Sequence, residues 1–360
     1  MKPLKILLAN ATLALLAGSE TWTEALAIQL KKMGHDVEAF SPSLGVISDR
    51  LELAGIKCYA EMSPSGIRPF SYALEEERRY DYDVIIANHN HIVDFLRSQF
   101  PKTPIISTVH GIIHFTQNEA GERVKAPEHP ALEASVGQFV SVSEEVQEIL
   151  KKDFNLDSMI IRNFINLKQY KAKRKISKGK PKAFLINTNY AGSADPDVDL
   201  IRRVAKDHYG AKVMAVGMNF QSTADTMPMI EEADVVVGMG RSVLEGAAAG
   251  RLAIVNGRWG TGGVINQLNV NELRSCNFSG RNSGGRYMTS EELIAEIDKD
   301  YNPETIDWVT NYIKSEHNVV HAAEVFVQTA RGLIAQPEVT EPVLRPYRRA
   351  RDVDKKDGLV

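Results

Sequence analysis

The sequence predicts an α/β protein with two Rossmann-like domains that face each other across a cleft. Short runs of Val, Ile and Leu alternate with helical segments in both halves of the chain, and this rhythm stops once, at a basic segment, before it restarts. Continuous apolar strands between helices are typical of a parallel sheet that is covered on both faces. The 360 residues suffice for two such domains with separate cores.

Composition and charge narrow the class of protein. A net charge of −3 and an apolar fraction of 43% fit a soluble globular protein and argue against nucleic-acid binding. Cys58 and Cys276 lie far apart, which predicts reduced thiols and a cytoplasmic setting. The first residues superficially resemble a signal peptide, but Asn10 and Thr12 interrupt the apolar run, so we predict a strand there. No apolar run reaches the roughly 18 residues of a membrane span.

Residues 1–165 are predicted to form the N-terminal domain. Its first long helix, over 20–33, has Trp22, Leu26 and Leu30 at helical spacing and is followed by Gly34. Shorter helices are predicted over 51–54, 92–99 and 144–152. The predicted strands are Lys5–Ala9, Asp36–Phe40, 57–60, 84–87, Ile105–Val109 and 139–142.

A basic segment, 166–182, is predicted to be a solvated linker, with weak contact to an anionic membrane surface as the alternative. Residues 183–315 are predicted to form the C-terminal domain. Its strands are expected over Ala183–Asn187, 213–216, 235–237 and 252–255, and its helices over 198–206, 229–232, 291–299 and, as one long region, 304–334. Part of that region, 316–335, is expected to return to the N-terminal domain. The stretch 257–263, GRWGTGG, is predicted to be a mobile loop and 336–360 an extended or disordered tail.

The second domain is organised around residues 233–256, ADVVVGMGRSVLEGAAAGRLAIVN. We predict a buried strand, a turn at Gly238 and Gly240, a short helix capped by Ser242, and a second buried strand. The first turn of such a helix suits a phosphate. A dinucleotide fingerprint would need a third glycine where Val243 stands and an acidic residue about 20 positions on, so a nicotinamide oxidoreductase is disfavoured.

This stretch resembles the donor-nucleotide segment of GT-B glycosyltransferases, most closely those of glycosyltransferase family 4, whose members retain anomeric configuration. The resemblance implies that Glu245 accepts hydrogen bonds from the ribose hydroxyls, as a carboxylate can. The structural alternative is that Glu245 only completes a capping box with Ser242. The donor-binding residues implied are Gly18, Gly238, Gly240, Arg241, Ser242, Val243, Glu245 and Arg258.

Two N-terminal segments extend the resemblance. TVHG, at 108–111, is similar to the family segment whose histidine reaches the donor sugar, and GSETWTEALAIQL, from Gly18, is similar to its first glycine loop and helix. We therefore expect His110 and Glu20 to be catalytic, with His89 as a further candidate base. His89 and His91 could both ligate a metal, but no third ligand has convincing spacing, so neither metal nor cofactor is expected.

The donor site departs from the family pattern in two places. Val237 stands where retaining members carry a glutamate, and the stretch 187–193 lacks the usual Arg and Lys, for which Arg241 and Arg258 are the nearest replacements. The expected function is metal-independent transfer from a UDP-sugar to a hydroxyl of a glycan, a lipid-linked glycan or a small molecule, with retention. A non-catalytic nucleotide-sugar-binding protein and a nucleotide-sugar epimerase stay open as alternatives.

Overall fold

A computed structural model describes residues 2–60, 81–111, 136–189, 195–217, 219–220, 223 and 225–335. The predicted tail, 336–360, lies outside these residues. Two sheets, one in each half of the chain, form the centres of the described structure, and all their strands except the last run parallel. The predicted α/β class is confirmed.

The N-terminal sheet has seven parallel strands in the order β3-β2-β1-β4-β5-β6-β7. The strands are β1 Lys5–Ala9, β2 Asp36–Phe40, β3 Lys57–Tyr59, β4 Val84–Asn88, β5 Ile105–Val109, β6 Gln138–Ser141 and β7 Ser158–Ile160. The sequence analysis missed only β7 among them. This strand is three residues long and half-buried, so it lacks the apolar run that marks the others.

Helices cover both faces of this sheet. On one face α1 (Gly18–Lys32) and α2 (Val46–Leu53) pack against Ile6 and Leu8. On the other face α3 (Asn90–Gln99) and α4 (Glu144–Phe154) pack against Leu7. Successive residues of β1 therefore serve opposite cores, which explains why the strand is apolar at every position after Lys5.

The C-terminal sheet has five strands in the order β12-β11-β10-β8-β9, and only β12 runs antiparallel. The strands are β8 Ala183–Asn187, β9 Lys212–Val216, β10 Val235–Gly238, β11 Leu252–Gly257 and β12 Gly260–Val264. The prediction of a mobile loop over 257–263 is wrong, because these residues form the β11–β12 hairpin. Gly260, with a φ of +113°, takes a backbone conformation that other residues rarely adopt.

The helices of the second half are α5 Pro196–Arg203, continued by a π-helical turn Val204–His208, α6 Met227–Glu232, α7 Arg241–Ala248, α8 Val270–Ser275, a 3₁₀ turn Arg281–Ser283, α9 Ser290–Asp300, α10 Pro303–Glu316 and α11 Val319–Ile334. The single helical region predicted over 304–334 is thus two helices. The side chain of Asn318 accepts a hydrogen bond from the backbone N–H of Val320 and caps the second helix, so a new helix begins there.

The chain crosses between the domains twice, and the two crossings touch. The backbone N–H of Ile165 donates to the carbonyl of His317 at 3.0 Å, and Val319 donates back to Ile165 at 3.2 Å. Helix α11 then packs Phe326 into the N-terminal core beside Trp22. The last described helix therefore belongs physically to the first domain.

The basic segment 166–182 is partly exposed, and several of its side chains contact the C-terminal domain. Tyr170 is 6% exposed and packs in the C-terminal core. Arg174 forms an ion pair with the buried carboxylate of Asp234 at 2.9 Å. Arg251, itself buried, donates to the backbone carbonyl of Arg174 at 2.9 Å. Buried polar partners replace the apolar residues that the segment lacks.

Candidate active site

A cleft of about 450 Å³ lies between the carboxyl ends of the two sheets. In open α/β sheets ligands bind where the strand order reverses, which here is beside β1 and beside β8. The loop that follows β1 and the residues that follow β8 both line the cleft. Its polar lining consists of Thr21, Glu24, Arg50, Asn166, Gln169, Tyr170, Asn187, Asn189, Thr223, Asp225, Thr226, Arg241, Ser242 and Glu245. Gly18, at the start of α1, lines it as well.

The turn before α7 is shaped by two glycines. Gly240, with a φ of +54°, occupies the N-cap position, and its N–H donates to the carbonyl of Phe278 at 2.9 Å. Ser242 lies inside the helix, so the prediction that it caps the helix is wrong. A Cβ on Gly238 would meet the carbonyl oxygen of Asn187 at 2.5 Å. Gly238 and Gly240 thus allow the close approach of backbone, while Val243 is fully buried in the core; none of the three lines the cleft.

Glu245 lies on the cleft wall one turn into α7 and is 8% exposed. Its carboxylate lies near the hydroxyls of Tyr170 and Thr226, and its Oε1 lies 3.7 Å from Nη2 of Arg241. The capping box with Ser242 does not form. Burial raises the pKa of Glu245, while the positive charge of Arg241 opposes that shift.

Arg241 connects this wall to the chain just before the basic segment. Its Nη1 donates to the backbone carbonyl of Phe164, and its side chain is 10% exposed. On the opposite wall Arg50 forms an ion pair with Glu24 at 3.4 Å, and burial raises the pKa of Glu24. The cleft therefore presents two guanidinium groups, one from each domain, and each lies beside a carboxylate.

His110 lies at the carboxyl end of β5 and does not line the cleft itself. Its Nε2 lies 3.1 Å from Oδ1 of Asn88, whose amide nitrogen donates to the hydroxyl of Thr23 at 3.0 Å. Because the Asn88 oxygen must then accept, we assign the proton to Nε2 of His110. The ring packs edge-on against Trp22, with centroids 5.1 Å apart.

Glu20 is buried in the first turn of α1, beside the same group of side chains. Its Oε2 accepts a hydrogen bond from Ser19 at 3.0 Å, and Oγ of Ser19 lies 3.3 Å from Nε2 of His89. Burial raises the pKa of Glu20. The rings of His89 and His110 have centroids 6.3 Å apart. The structure thus gathers the three candidate acid–base residues near the ends of β4 and β5, next to the cleft and outside its lining.

Arg258 is the one donor-site candidate that the structure places on the β11–β12 hairpin. It is exposed, and its guanidinium lies 4.4 Å from the ring centroid of Trp259. It does not line the cleft. Residues 190–194, part of the stretch where the family carries cations, lie outside the described residues. Within the described residues, no three His, Cys, Asp or Glu side chains are grouped as metal ligands.

Several cleft residues carried no signal in the sequence. Tyr170, Thr226 and Asn189 come from three separate elements, and Glu24 and Arg50 come from two helices that look like ordinary surface helices. Only Tyr170 offered a hint, because it is the one aromatic residue in an otherwise polar and basic segment.

Comparison with known proteins agrees with this geometry. Residues 16–169 match the family described as Glycosyltransferase Family 4. No curated protein matches the chain by sequence. No described helix is both long and apolar enough to cross a bilayer.

Solved structures share the fold over nearly the whole chain. A glycosyltransferase from Rickettsia africae superposes with a TM-score of 0.63 at 14% identity, covering 92% of this chain and 99% of its own. Alr3699/HepE from Anabaena, in complex with UDP and glucose, gives 0.62 at 13% identity, over 91% and 100%. A sucrose-phosphate synthase from Thermosynechococcus elongatus gives 0.56 at 12% identity, over 92% and 99%. The predicted two-domain GT-B fold is confirmed.

Proposed function

We propose that this protein is a glycosyltransferase, because residues 16–169 match the family described as Glycosyltransferase Family 4 and the chain has the GT-B fold. It transfers a sugar from a nucleoside diphosphate sugar to the hydroxyl of an acceptor. UDP is the favoured nucleotide, since Alr3699/HepE was solved with UDP, with UDP and glucose, and with UDP-glucose. The acceptor is a glycan, a lipid-linked glycan or a small molecule, and the protein acts in the cytoplasm.

The observation that carries this proposal is the position of Glu245. Its buried carboxylate lies on the wall of the interdomain cleft, beside the guanidinium of Arg241 and one turn from the start of α7. A ribose offers two hydroxyl donors to such a carboxylate. The diphosphate, in turn, fits the helix N-terminus and Arg241. The carboxylate and the positive groups thus lie in the same order as the ribose and the diphosphate of a nucleotide.

The reaction breaks the bond between the anomeric carbon and the diphosphate oxygen and forms a bond from that carbon to the acceptor oxygen. The acceptor loses a proton, and the nucleoside diphosphate leaves with the electrons of the broken bond. Arg241 and the first amides of α7 stabilise that leaving charge, so no step requires a metal. Closure of the two domains excludes water, which would otherwise hydrolyse the donor.

His110 and Glu20 are the proposed catalytic residues. The Nε2 proton of His110 is held by Asn88, so the imidazole has a fixed orientation at the strand end. Burial raises the pKa of Glu20, which favours a role for its carboxyl group in proton transfer. Retention of configuration is the stereochemistry we propose, on the strength of the family.

Incubation of the purified protein with a panel of nucleotide sugars tests the proposal. We expect release of one nucleoside diphosphate, stimulated by an acceptor, with product of the same anomeric configuration. Glu245→Gln should weaken nucleotide affinity about tenfold or more, because the neutral amide presents one acceptor where the carboxylate presents two. Transfer that is unaffected by EDTA would support metal independence. Epimerised donor without transfer would instead identify an epimerase.

One observation favours a second candidate, a nucleotide-sugar-binding protein without catalysis. Val237 stands where retaining members carry a glutamate, and it is 1% exposed within β10. A buried valine offers no group to the donor sugar. Binding of nucleotide sugars without transfer or hydrolysis across an acceptor panel would decide for this candidate.

A further inference from the structure

Asn163, the third residue after β7, ties the end of the N-terminal domain to the C-terminal domain. Its amide nitrogen donates to the side-chain oxygen of Asn277 at 2.8 Å, although the two residues are 114 positions apart. Asn163 is 6% exposed, and its backbone carbonyl accepts the Nδ1 proton of His317 at 2.5 Å. The side chain therefore reaches across the domain boundary from a backbone that is itself held in place.

Asn277 and Phe278 follow α8 in a rare backbone conformation. Both have a positive φ, of +58° and +50° respectively. The N–H of Asn277 donates to the carbonyl of Arg274, and that of Phe278 donates to the carbonyl of Leu273, which is the Schellman pattern of a helix end. That pattern requires a left-handed residue at Asn277, where asparagine is well tolerated, but not at Phe278. A bulky residue in this region is strained, and such strain persists only where surrounding contacts enforce it.

The contacts of Phe278 lead to the start of α7. Its ring is buried and meets the ring of His317 edge-on, with centroids 5.6 Å apart. Its carbonyl accepts the N–H of Gly240, the N-cap of α7, at 2.9 Å. A Cβ on Gly240 would lie 3.7 Å from the carbonyl oxygen of Asn277, so the two backbones lie close together. The strained turn thus fixes the residue from which α7 begins.

Phe164 adds a second contact between the same two parts of the chain. Its carbonyl accepts a hydrogen bond from Nη1 of Arg241, the first residue of α7. Asn163 therefore acts on the turn before the helix, and Phe164 acts on the side chain of the first helical residue. Because the N–H of Gly240 is bonded to Phe278, this amide orients the helix and is not itself a phosphate ligand.

We propose that Asn163 and Asn277 are positioning residues for the donor diphosphate. Their side-chain contact holds the carbonyl of Phe278 against Gly240, and it thereby directs the first turn of α7 and Arg241 into the cleft. This inference rests on the proposed function, because it assumes that the start of α7 receives the phosphates. Neither asparagine is among the described residues that line the cleft. Their effect is therefore expected in the affinity for the phosphates and not in the affinity for the nucleoside.

Calorimetric titration of UDP, GDP, ADP and CDP identifies the tightest nucleotide, and ligand-observed NMR measures the binding of its nucleoside. Asn277→Gly removes the side chain but keeps the positive φ, which glycine adopts freely. We expect it to weaken the nucleotide about three- to tenfold, the range for one lost hydrogen bond, and to change nucleoside affinity less than about twofold. Asn163→Ala should have the same effect. The double variant should bind no more weakly than either single variant, because both substitutions remove one contact.

Asn155→Gly is the matched control. Asn155 also follows a helix, α4, with a φ of +55°, and it is exposed within the N-terminal domain. Its nucleotide affinity should equal that of the wild type. Thermal unfolding shows whether each variant is folded, and Asn163→Leu, which fills a similar volume without a donor, replaces Asn163→Ala if the latter does not fold.

The outcomes separate the two proposals. If the wild type binds none of the four nucleotides, or Arg241→Ala leaves nucleotide affinity unchanged, the proposed donor site fails and the inference with it. If Arg241→Ala weakens binding while Asn277→Gly behaves like Asn155→Gly, only the inference is wrong.

Two further results would overturn the inference alone. Effects of Asn163→Ala and Asn277→Gly that add up in the double variant would show that the two asparagines act by separate routes. An equal loss of nucleotide and nucleoside affinity would show that they support the domain as a whole and do not position the phosphate site.

Discussion

Arg281 of the C-terminal domain forms a bidentate ion pair with Glu145 at the start of α4 in the N-terminal domain. The Nε of Arg281 lies 2.7 Å from Oε1 and 2.9 Å from Oε2 of Glu145, and the two side chains are 18% and 25% exposed. This contact joins the two domains that flank the cleft. The partly shielded, two-pronged geometry makes it stronger than an ordinary surface pair.

We predict that Glu145→Gln shifts the protein toward more open arrangements of the two domains. A loss of about 1 kcal/mol would change the ratio of closed to open forms about fivefold. Fluorescence energy transfer between labels on the two domains measures this ratio, and high salt should reduce the difference from the wild type. The control is Arg274→Met, which breaks an ion pair with Glu316 inside the C-terminal domain. Identical transfer distributions for Glu145→Gln and wild type at low salt would contradict the prediction.

The pKa of Glu245 predicts how nucleotide binding depends on pH. Burial raises this pKa, Arg241 and the hydroxyls of Tyr170 and Thr226 oppose the rise, and Asp225 adds to it. The ionised form is the one that accepts from both ribose hydroxyls. Affinity should therefore be constant at high pH and fall about tenfold per unit once the pH drops below the raised pKa.

A nucleotide sugar is the appropriate ligand for this measurement, because its phosphate diesters do not titrate in the same range. Calorimetric titration from acidic to neutral pH should show the fall for the wild type. Glu245→Gln, which has no proton to gain, should give weak but nearly flat affinity. A wild-type profile as flat as that of Glu245→Gln would show that the carboxylate does not meet the ligand.

Most strands of the two sheets were predictable because each one is marked by its own short stretch of sequence. The bounds of β1 and β8 follow from apolar runs that end at polar residues, and those of β2 and β5 agree with the predicted bounds although polar residues interrupt both strands. The β11–β12 hairpin was missed because GRWGTGG has the composition of a loop. Its pairing depends on Gly260 and Gly263 adopting positive φ, with Gly263 at +87°. Packing in the folded domain, and not the local sequence, determines that these glycines adopt positive φ.

The site was predictable only where it follows a strand end. Glu245 and Arg241 could be found because they stand at fixed distances from β10 within one short stretch. Tyr170 and Thr226 lie near the same carboxylate but come from distant parts of the chain, and nothing in their immediate sequence indicates this. The contacts of the basic segment were missed for a related reason: Arg174 finds Asp234 only after the domain has folded.

His317, at the second crossing between the domains, should make the fold sensitive to acid. It is 2% exposed, its Nδ1 donates to the carbonyl of Asn163, and its Nε2 is buried without a hydrogen-bond partner among the described residues. Burial lowers the pKa of His317 to about 4. The unfolded chain then binds a proton that the folded chain does not, so the free energy of unfolding falls as the pH drops from about 6.5 toward 4, by roughly 1.4 kcal/mol per unit.

Urea denaturation between pH 4 and 7 measures this effect. His317→Gln should flatten the part of the pH dependence that lies below about 6.5, because glutamine gains no proton in the unfolded chain. His321→Gln is the control, since His321 lies on the same stretch of chain and its side chain is 72% exposed. A pH dependence that is unchanged in His317→Gln would mean that this histidine is not held neutral by the fold.

Gly246 is the point at which α7 approaches the sheet most closely. A Cβ at this position would lie 2.5 Å from Cβ and 2.8 Å from both methyl carbons of Val236 on β10. Small residues in this helix thus serve the packing of helix on strand. We predict that Gly246→Ala lowers the free energy of unfolding by about 1 to 3 kcal/mol, despite the better helix propensity of alanine, because α7 must move away from β10. It should also weaken nucleotide binding, because the same helix carries Glu245.

Gly332→Ala is the matched control for this prediction. Gly332 is also a helical glycine, in α11, but a Cβ there would meet nothing within 4 Å. The substitution should therefore leave the free energy of unfolding unchanged or raise it by up to about 1 kcal/mol. Chemical denaturation of both variants separates helix propensity from steric contact. The gain in propensity applies to both positions, whereas the contact with Val236 applies only to position 246. Equal stabilisation by the two substitutions would show that α7 has room above Val236.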